Sequence, residues 1–118
     1  MLNDIFALDL STRDTSPAMQ SYADLTEFII RYPESEYIDA ARERLIFLRN
    51  LIASSELDGA EYYMKRGAYL AAVNRANYVL KNIPNSTERE RALRILKEAY
   101  KQLGYDEYAE KISSFETN

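Results

Sequence analysis

Apolar residues recur at steps of three and four positions along most of the chain, and polar residues fill the positions between them. This spacing places the apolar side chains on one face of an α-helix. Five stretches follow the pattern, over residues 18–31, 34–66, 69–83, 87–103 and 108–115. Ser35 predicts the N-cap of the second stretch, and Thr87 with Glu90 has the spacing of a capping box before the fourth. We therefore expect five or six helices and no strands.

Proline and glycine mark the ends of these stretches. Pro33 and Pro84 each follow a helical pattern, and a proline disfavours the helical conformation in the residue before it. Gly67 and Gly104 end two others, where glycine suits the left-handed turn that closes a helix. With only three glycines and three prolines, the chain lacks the turn signals that a β-sandwich or barrel needs every ~8–12 residues. The sequence therefore predicts an all-α fold.

The helices form a repeat. A shift of 37 positions superimposes Gly67 on Gly104, Tyr63 on Tyr100 and Ala72 on Ala109. Helix, glycine turn, helix and proline turn, with a period near ~34 residues, is typical of tetratricopeptide (TPR) repeats. We expect Tyr63 to fill the groove between paired helices and Ala72 to let them approach closely. The fold class predicted is antiparallel helical hairpins stacked as a TPR-like right-handed superhelix.

One stretch departs from a regular array. Residues 34–66 are roughly twice as long as the first helix of a TPR repeat. An elongated first helix is the simplest interpretation. Ser54, Ser55 and Gly59 lower its helix propensity, which indicates a bend or short break near residues 54–58.

Composition narrows the function classes. The 118 residues include no histidine and no cysteine, which excludes disulfides, zinc sites with Cys or His ligands and a histidine general base. Fifteen basic against nineteen acidic residues give a net charge of −4, unlike the basic surplus of nucleic-acid binders. No run of ~18 apolar residues occurs, so we expect no direct insertion into a membrane. We expect no enzyme, no cofactor and no metal site.

Several stretches are more specific than a generic repeat. They are residues 60–69 (AEYYMKRGAY), 71–75 (AAVNR), 31–37 (RYPESEY), 40–45 (AARERL), 98–104 (EAYKQLG) and 109–111 (AEK). Each resembles the BamD family of outer-membrane assembly lipoproteins, and residues 9–14 (DLSTRD) resemble a loop inside that family's third repeat. The resemblance covers nearly the whole chain but only the C-terminal half of a family member. We therefore expect residues 1–17 to be part of an inter-helix loop of a truncated repeat, and residues 18–118 to be the C-terminal TPR-like repeats of a longer protein.

The resemblance implies a periplasmic TPR scaffold of the β-barrel assembly machinery. It implies docking on the last POTRA domain of the barrel-forming subunit, and contact with small accessory lipoproteins of the complex. The implied location is the periplasmic face of the outer membrane, where a lipid anchors the full-length protein. Arg75 matches an arginine at the docking contact, and Asn74 lies beside it in the same motif.

The residues alone leave alternatives open. An arginine at position 75 is also compatible with a solvated charge, and Tyr62 is either a surface residue for binding or part of the core edge. The acidic residues Glu56, Asp58 and Glu61 are interpreted as a solvated face, and residues 88–91 as an exposed first turn. At the level of function, the alternative is a generic periplasmic or cytoplasmic TPR peptide-binding module, such as a Tol–Pal type adaptor.

Overall fold

The structure is a computed structural model that describes residues 16–116. These residues form five α-helices and contain no strand, which confirms the predicted all-α fold. The helices are α1 (Ser16–Arg31), α2 (Ile38–Lys65), α3 (Tyr69–Asn82), α4 (Arg89–Leu103) and α5 (Asp106–Glu116). Residues 1–15 lie outside the described residues, so the interpretation of residues 1–17 as part of a loop stays a prediction.

Each helix packs on the next one along the chain. Because the connections are only two to six residues long, consecutive helices run antiparallel and form hairpins. The molecule measures 52 × 30 × 16 Å. Its thinnest dimension fits two layers of helices, since two axes lie roughly 8–10 Å apart. Stacked helical hairpins of this kind confirm the predicted TPR-like architecture, while the handedness of the superhelix stays a prediction.

Alanine dominates the contacts between the helices. Small side chains let helix axes approach closely, and larger aliphatic residues fill the space that remains. The fully buried alanines are Ala18, Ala53, Ala60, Ala72, Ala76, Ala92 and Ala99. The largest fully buried side chains are Leu48, Ile52, Leu57, Val79, Leu93 and Leu96. Apart from Ala18 of α1, both sets belong to α2, α3 and α4, so the core lies mainly among these three helices.

Both glycine turns have the same backbone geometry. Gly67 and Gly104 adopt φ of +76° and +86°, the left-handed region that favours glycine. In each turn the residue after the glycine donates its N–H to a carbonyl five positions earlier: Ala68 to Tyr63 at 2.9 Å, and Tyr105 to Tyr100 at 2.8 Å. This is the Schellman motif, which satisfies carbonyls that the helix end leaves without partners.

Both proline turns also share one geometry. Pro33 and Pro84 lie in the six-residue links before α2 and α4, each followed two positions later by a serine. The serine Oγ accepts the N–H of the residue two positions further on: Ser35 from Tyr37 at 3.0 Å, and Ser86 from Glu88 at 3.2 Å. Helices α2 and α4 begin directly after these serine turns.

The predicted N-caps at Ser35 and Thr87 are therefore wrong. The N-cap residues are Tyr37 and Glu88, and neither makes a side-chain capping hydrogen bond. Ser35 is held in the preceding turn, where its hydroxyl is already engaged with the backbone. The backbone N–H of Thr87 donates instead to Asn50 Oδ1 of α2 at 3.1 Å, a tertiary contact that the local sequence does not indicate.

Helix α2 is unbroken over its 28 residues, so the predicted single long stretch is confirmed and the break near residues 54–58 is not present. Ser55 and Gly59 are buried there, and the Ser55 hydroxyl has no hydrogen-bond partner among the described residues. The two serine turns lie 51 positions apart, whereas the two glycine turns lie 37 apart. Helix α2 therefore carries 14 more residues between these landmarks than α4 does.

The extra length projects from the molecule. The contact between Thr87 and Asn50 places the start of α4 level with the middle of α2. Residues 38–49, together with most of α1 and the link at residues 32–37, therefore extend past the start of α4, and we call this part the protruding hairpin. Several large apolar side chains of the protruding hairpin are exposed: Ile30, Tyr32, Tyr37, Ile46 and Phe47.

Candidate protein-binding groove

A shallow groove of about 350 Å³ runs between α2 and α3. Its walls are Glu56 and Tyr63 from α2, and Ala71, Asn74, Arg75 and Tyr78 from α3. The residues from α3 are three and four positions apart, and those from α2 are seven apart, so each set lies on one helical face. We call this surface the Arg75 groove.

Arg75 is held by two contacts within the chain. Its Nη1 lies 3.6 Å from Oε1 of Glu56, and its guanidinium carbon lies 5.5 Å from the centroid of the Tyr63 ring. The side chain is 38% exposed, whereas that of Glu56 is 14% exposed. Arg75 is therefore not a freely solvated charge, which was one of the two interpretations of its sequence context.

These contacts leave the guanidinium able to bind a partner. At 3.6 Å the contact with Glu56 is an ion pair and is too long for a good hydrogen bond. A guanidinium has five N–H donors in a fixed plane, and their geometry suits a carboxylate. Glu56 and Tyr63 orient Arg75, while its exposed edge remains accessible.

Tyr78 adds a polar but uncharged group to the lining of the groove. Burial and the nearby carboxylate of Glu56 raise the pKa of Tyr78 above its ordinary value, so the phenol stays protonated. Its hydroxyl donates to Sδ of Met19 in α1 at 3.6 Å. The far end of α3 is in this way joined to the start of α1.

The structure brings together two of the three residues singled out for binding. Asn74 is exposed and lies beside Arg75 in the groove. Tyr62 is half exposed on another face of α2 and does not line the groove. It contacts the Tyr63 ring edge-on, with centroids 5.7 Å apart, and the guanidinium of Arg66 lies 4.5 Å from its own centroid.

The sequence did not indicate the main ion-pair cluster of the molecule, which centres on Arg91 of α4. Its guanidinium contacts three carboxylates: Asp58 at 2.6 Å, Glu61 at 3.1 Å and Glu88 at 3.1 Å. The Arg91 side chain is only 20% exposed. Asp58 and Glu61 remain 42% and 49% exposed, so their interpretation as a solvated face holds in part. Arg91 is not part of an exposed turn, because the stacking of α4 on α2 brings its guanidinium onto these carboxylates. Asp58 and Glu61, three positions apart on one face, are the only local signal.

Hydrogen bonding within this cluster shifts the pKa values of Glu61 and Arg91. The hydrogen bond from Arg91 lowers the pKa of Glu61 below its ordinary value of 4.5, despite an opposing effect of burial. The same hydrogen bond is the main reason that the pKa of Arg91 is raised. The cluster joins α2 and α4, two helices that are not neighbours in sequence.

Neither a metal-binding cluster nor a membrane-spanning helix occurs within residues 16–116. No group of three or more acidic side chains there is arranged to hold a metal ion. No helix in this part of the chain is long and apolar enough to cross a membrane.

Comparison with known proteins identifies one family and relatives that all carry the same name. The sequence profile of the family described as "YfiO: Outer membrane lipoprotein" matches residues 2–115. Relatives named "Outer membrane protein assembly factor BamD" come from several bacteria. The Vibrio cholerae protein is 34% identical over 110 residues (93% of this chain, 46% of the relative), and the Xylella fastidiosa protein 40% over 103 residues (87% and 35%). The Neisseria meningitidis protein is 37% identical over 108 residues (92% and 40%).

The chain thus spans less than half the length of the curated relatives it matches. The match nevertheless covers almost all of this chain, including the motifs that carry the predicted resemblance. The similarity to BamD proteins is confirmed, and the chain belongs to the YfiO outer membrane lipoprotein family.

Proposed function

We propose that this chain is a scaffold segment in outer-membrane protein assembly, and that its Arg75 groove docks on the last POTRA domain of the barrel-forming subunit. Membership of the family and the name that its relatives carry, assembly factor, support the assembly role. The observation that carries the docking proposal is the exposed edge of the Arg75 guanidinium, oriented by Glu56 and Tyr63.

The groove suits a carboxylate on a partner domain. A guanidinium already oriented by neighbours loses little conformational freedom on binding, so more of the contact energy appears as affinity. Asn74 adds an amide donor and acceptor next to the charge. Arginine anchors in such settings are often among the few residues that dominate an interface.

The wider role follows from the family resemblance. We place the full-length protein on the periplasmic face of the outer membrane, where it also contacts small accessory lipoproteins. The role is that of a scaffold and involves no catalytic step or cofactor. Tyr62, which lies outside the Arg75 groove, is proposed as a peripheral contact because it is half exposed beside Tyr63.

The docking proposal is tested by a substitution at Asn74, because Arg75 also has partners within the chain. Asn74→Glu places a carboxylate beside Arg75, where it competes for the guanidinium and repels an acidic partner group. We expect affinity for the isolated POTRA domains to fall about tenfold or more, equal to about 1.4 kcal/mol. Isothermal titration of wild type and variant measures this loss.

Asn77→Glu is the matched control. Asn77 is also an exposed asparagine of α3, but it does not line the groove. We expect it to change affinity by less than about twofold, because an exposed charge outside the contact has little effect on binding. Equal losses in the two variants would indicate a general charge effect and contradict the proposed site. Wild-type protein that fails to bind the POTRA domains would favour the adaptor alternative.

A further inference from the structure

A second surface lies at the turn between α4 and α5. A cavity of about 590 Å³ opens there, lined by residues 104–108. Tyr105 and Tyr108 are 53% and 50% exposed, and their ring centroids lie 5.8 Å apart. The ring of Tyr100 packs against the ring of Tyr108 in an edge-to-face arrangement, with centroids 5.4 Å apart. We call this surface the tyrosine cavity.

The α2–α3 hairpin shows how this chain covers tyrosine rings at a glycine turn. Tyr62 and Tyr63 each have an arginine guanidinium over the ring, at 4.5 Å from Arg66 and 5.5 Å from Arg75. The shift of 37 positions relates Tyr63 to Tyr100, and it relates Arg66 and Arg75 to Leu103 and Ile112. The α4–α5 hairpin has no arginine at either equivalent position. It has two additional tyrosines where the α2–α3 hairpin has Ala68 and Ala71.

The charge around the cavity has the sign that attracts a cation. Asp106 and Glu107 are exposed in its lining, and the lining contains no lysine or arginine. The face of an aromatic ring carries partial negative charge, so carboxylates and tyrosine faces favour the same kind of ligand. A planar guanidinium stacks on a ring while it pairs with a carboxylate, and an ammonium group lacks this double fit.

We propose that the tyrosine cavity binds an arginine side chain presented by an exposed segment of a partner protein. The guanidinium stacks on Tyr105 or Tyr108, and Asp106 or Glu107 accepts its N–H groups. The surface is separate from the Arg75 groove, and the inference does not depend on the docking role proposed there.

The experiment is an NMR titration of the 118-residue chain with a blocked Gly-Arg-Gly peptide. The control ligand is the same peptide with citrulline, which keeps the planar shape of the arginine side chain but has no charge. We expect the arginine peptide to shift the amide and ring signals of Tyr105 and Tyr108, and to bind about tenfold more tightly than the citrulline peptide. Equal binding of the two peptides, or shifts confined to other acidic parts of the surface, would overturn the proposal.

Two variants test the role of the rings. Tyr108→Leu keeps an apolar side chain but removes the aromatic face, so we expect binding to weaken about threefold to fivefold. Tyr105→Leu gives a second measurement that does not disturb the contact with Tyr100. The matched control is Tyr32→Leu, which changes a similarly exposed tyrosine of the protruding hairpin and should leave binding unchanged. Full binding by both cavity variants, with melting temperatures near that of wild type, would also overturn the proposal.

Discussion

At the scale of single residues, the backbone conformation is what favours glycine at position 67, and a lack of space for a side chain is not the reason. A Cβ added at this position meets no atom within 4 Å, but φ is +76°. We expect Gly67→Ala to lower the free energy of unfolding by about 1 kcal/mol, because a side chain disfavours the left-handed region. Thermal melts should show a loss of about 4 °C. Gly104→Ala, with the same turn geometry, should behave alike, and unchanged melting in both variants would contradict this explanation.

Among the charged side chains, Arg91 is the one whose loss should lower the stability of the fold most. Truncation leaves Asp58, Glu61 and Glu88 close together without their shared cation. We expect Arg91→Ala to lower the free energy of unfolding by about 2 kcal/mol, a value between exposed and buried ion pairs because these partners are partly solvated. Urea denaturation measures the change. Arg94→Ala, at an exposed position on the same helix, is the control and should cost less than about 0.5 kcal/mol.

The contribution of this cluster should depend on pH in a defined direction. The pKa of Glu61 is lower in the folded chain than its ordinary value of 4.5, so the unfolded chain binds more protons in the acid range. The stabilisation is therefore complete above about pH 4.5 and is lost as the pH falls through the folded pKa. The difference between wild type and Arg91→Ala should stay constant near neutral pH and narrow below pH 4.5. A difference that grows in acid would contradict this assignment.

At the scale of helices, the periodic pattern was enough to predict the five elements, and glycine and proline were enough to locate the ends of the first four. The helix starts were less predictable. Ser35 and Thr87 have high N-cap preference, but the turn after each proline holds a serine hydroxyl on the backbone and moves the first helical residue to Ile38 and Arg89. Such a preference describes one residue, whereas the start of a helix here depends on a turn of several residues.

The helices should also differ in local stability. In α1 the only buried residue is Ala18, and the helix packs mainly on α2, whereas α4 buries five residues in the core. We expect the amides of α1 to exchange with solvent at least about tenfold faster than those of α4, because local opening of α1 exposes little apolar surface. Hydrogen exchange followed by NMR measures both helices in one sample. Equal protection would indicate that the protruding hairpin is covered in solution.

At the scale of the whole molecule, the contacts that build the sites were the part that sequence reasoning could not reach. Arg75 and Asn74 were found through a family motif, and both lie in the groove. The partners Glu56 of Arg75 and Asp58 of Arg91 lie 19 and 33 positions away, and no local pattern links them. Those pairs depend on how far α3 and α4 are displaced along α2, which the turns and the packing of alanines decide together.

The length of α2 sets the distance between the end of the protruding hairpin and the Arg75 groove. One unbroken helix runs from Tyr37, its N-cap at the exposed end of the protruding hairpin, to Tyr63 in the Arg75 groove. Those 26 positions correspond to about 39 Å at 1.5 Å per residue. At about 100° per residue, the same 26 positions amount to about seven helical turns and a further ~80°, so Tyr37 and Tyr63 point about a quarter of a turn apart. A protein bound at the hairpin and another bound at the groove would be held at a set spacing and rotation, as if by a ruler, and any insertion in α2 would change both together.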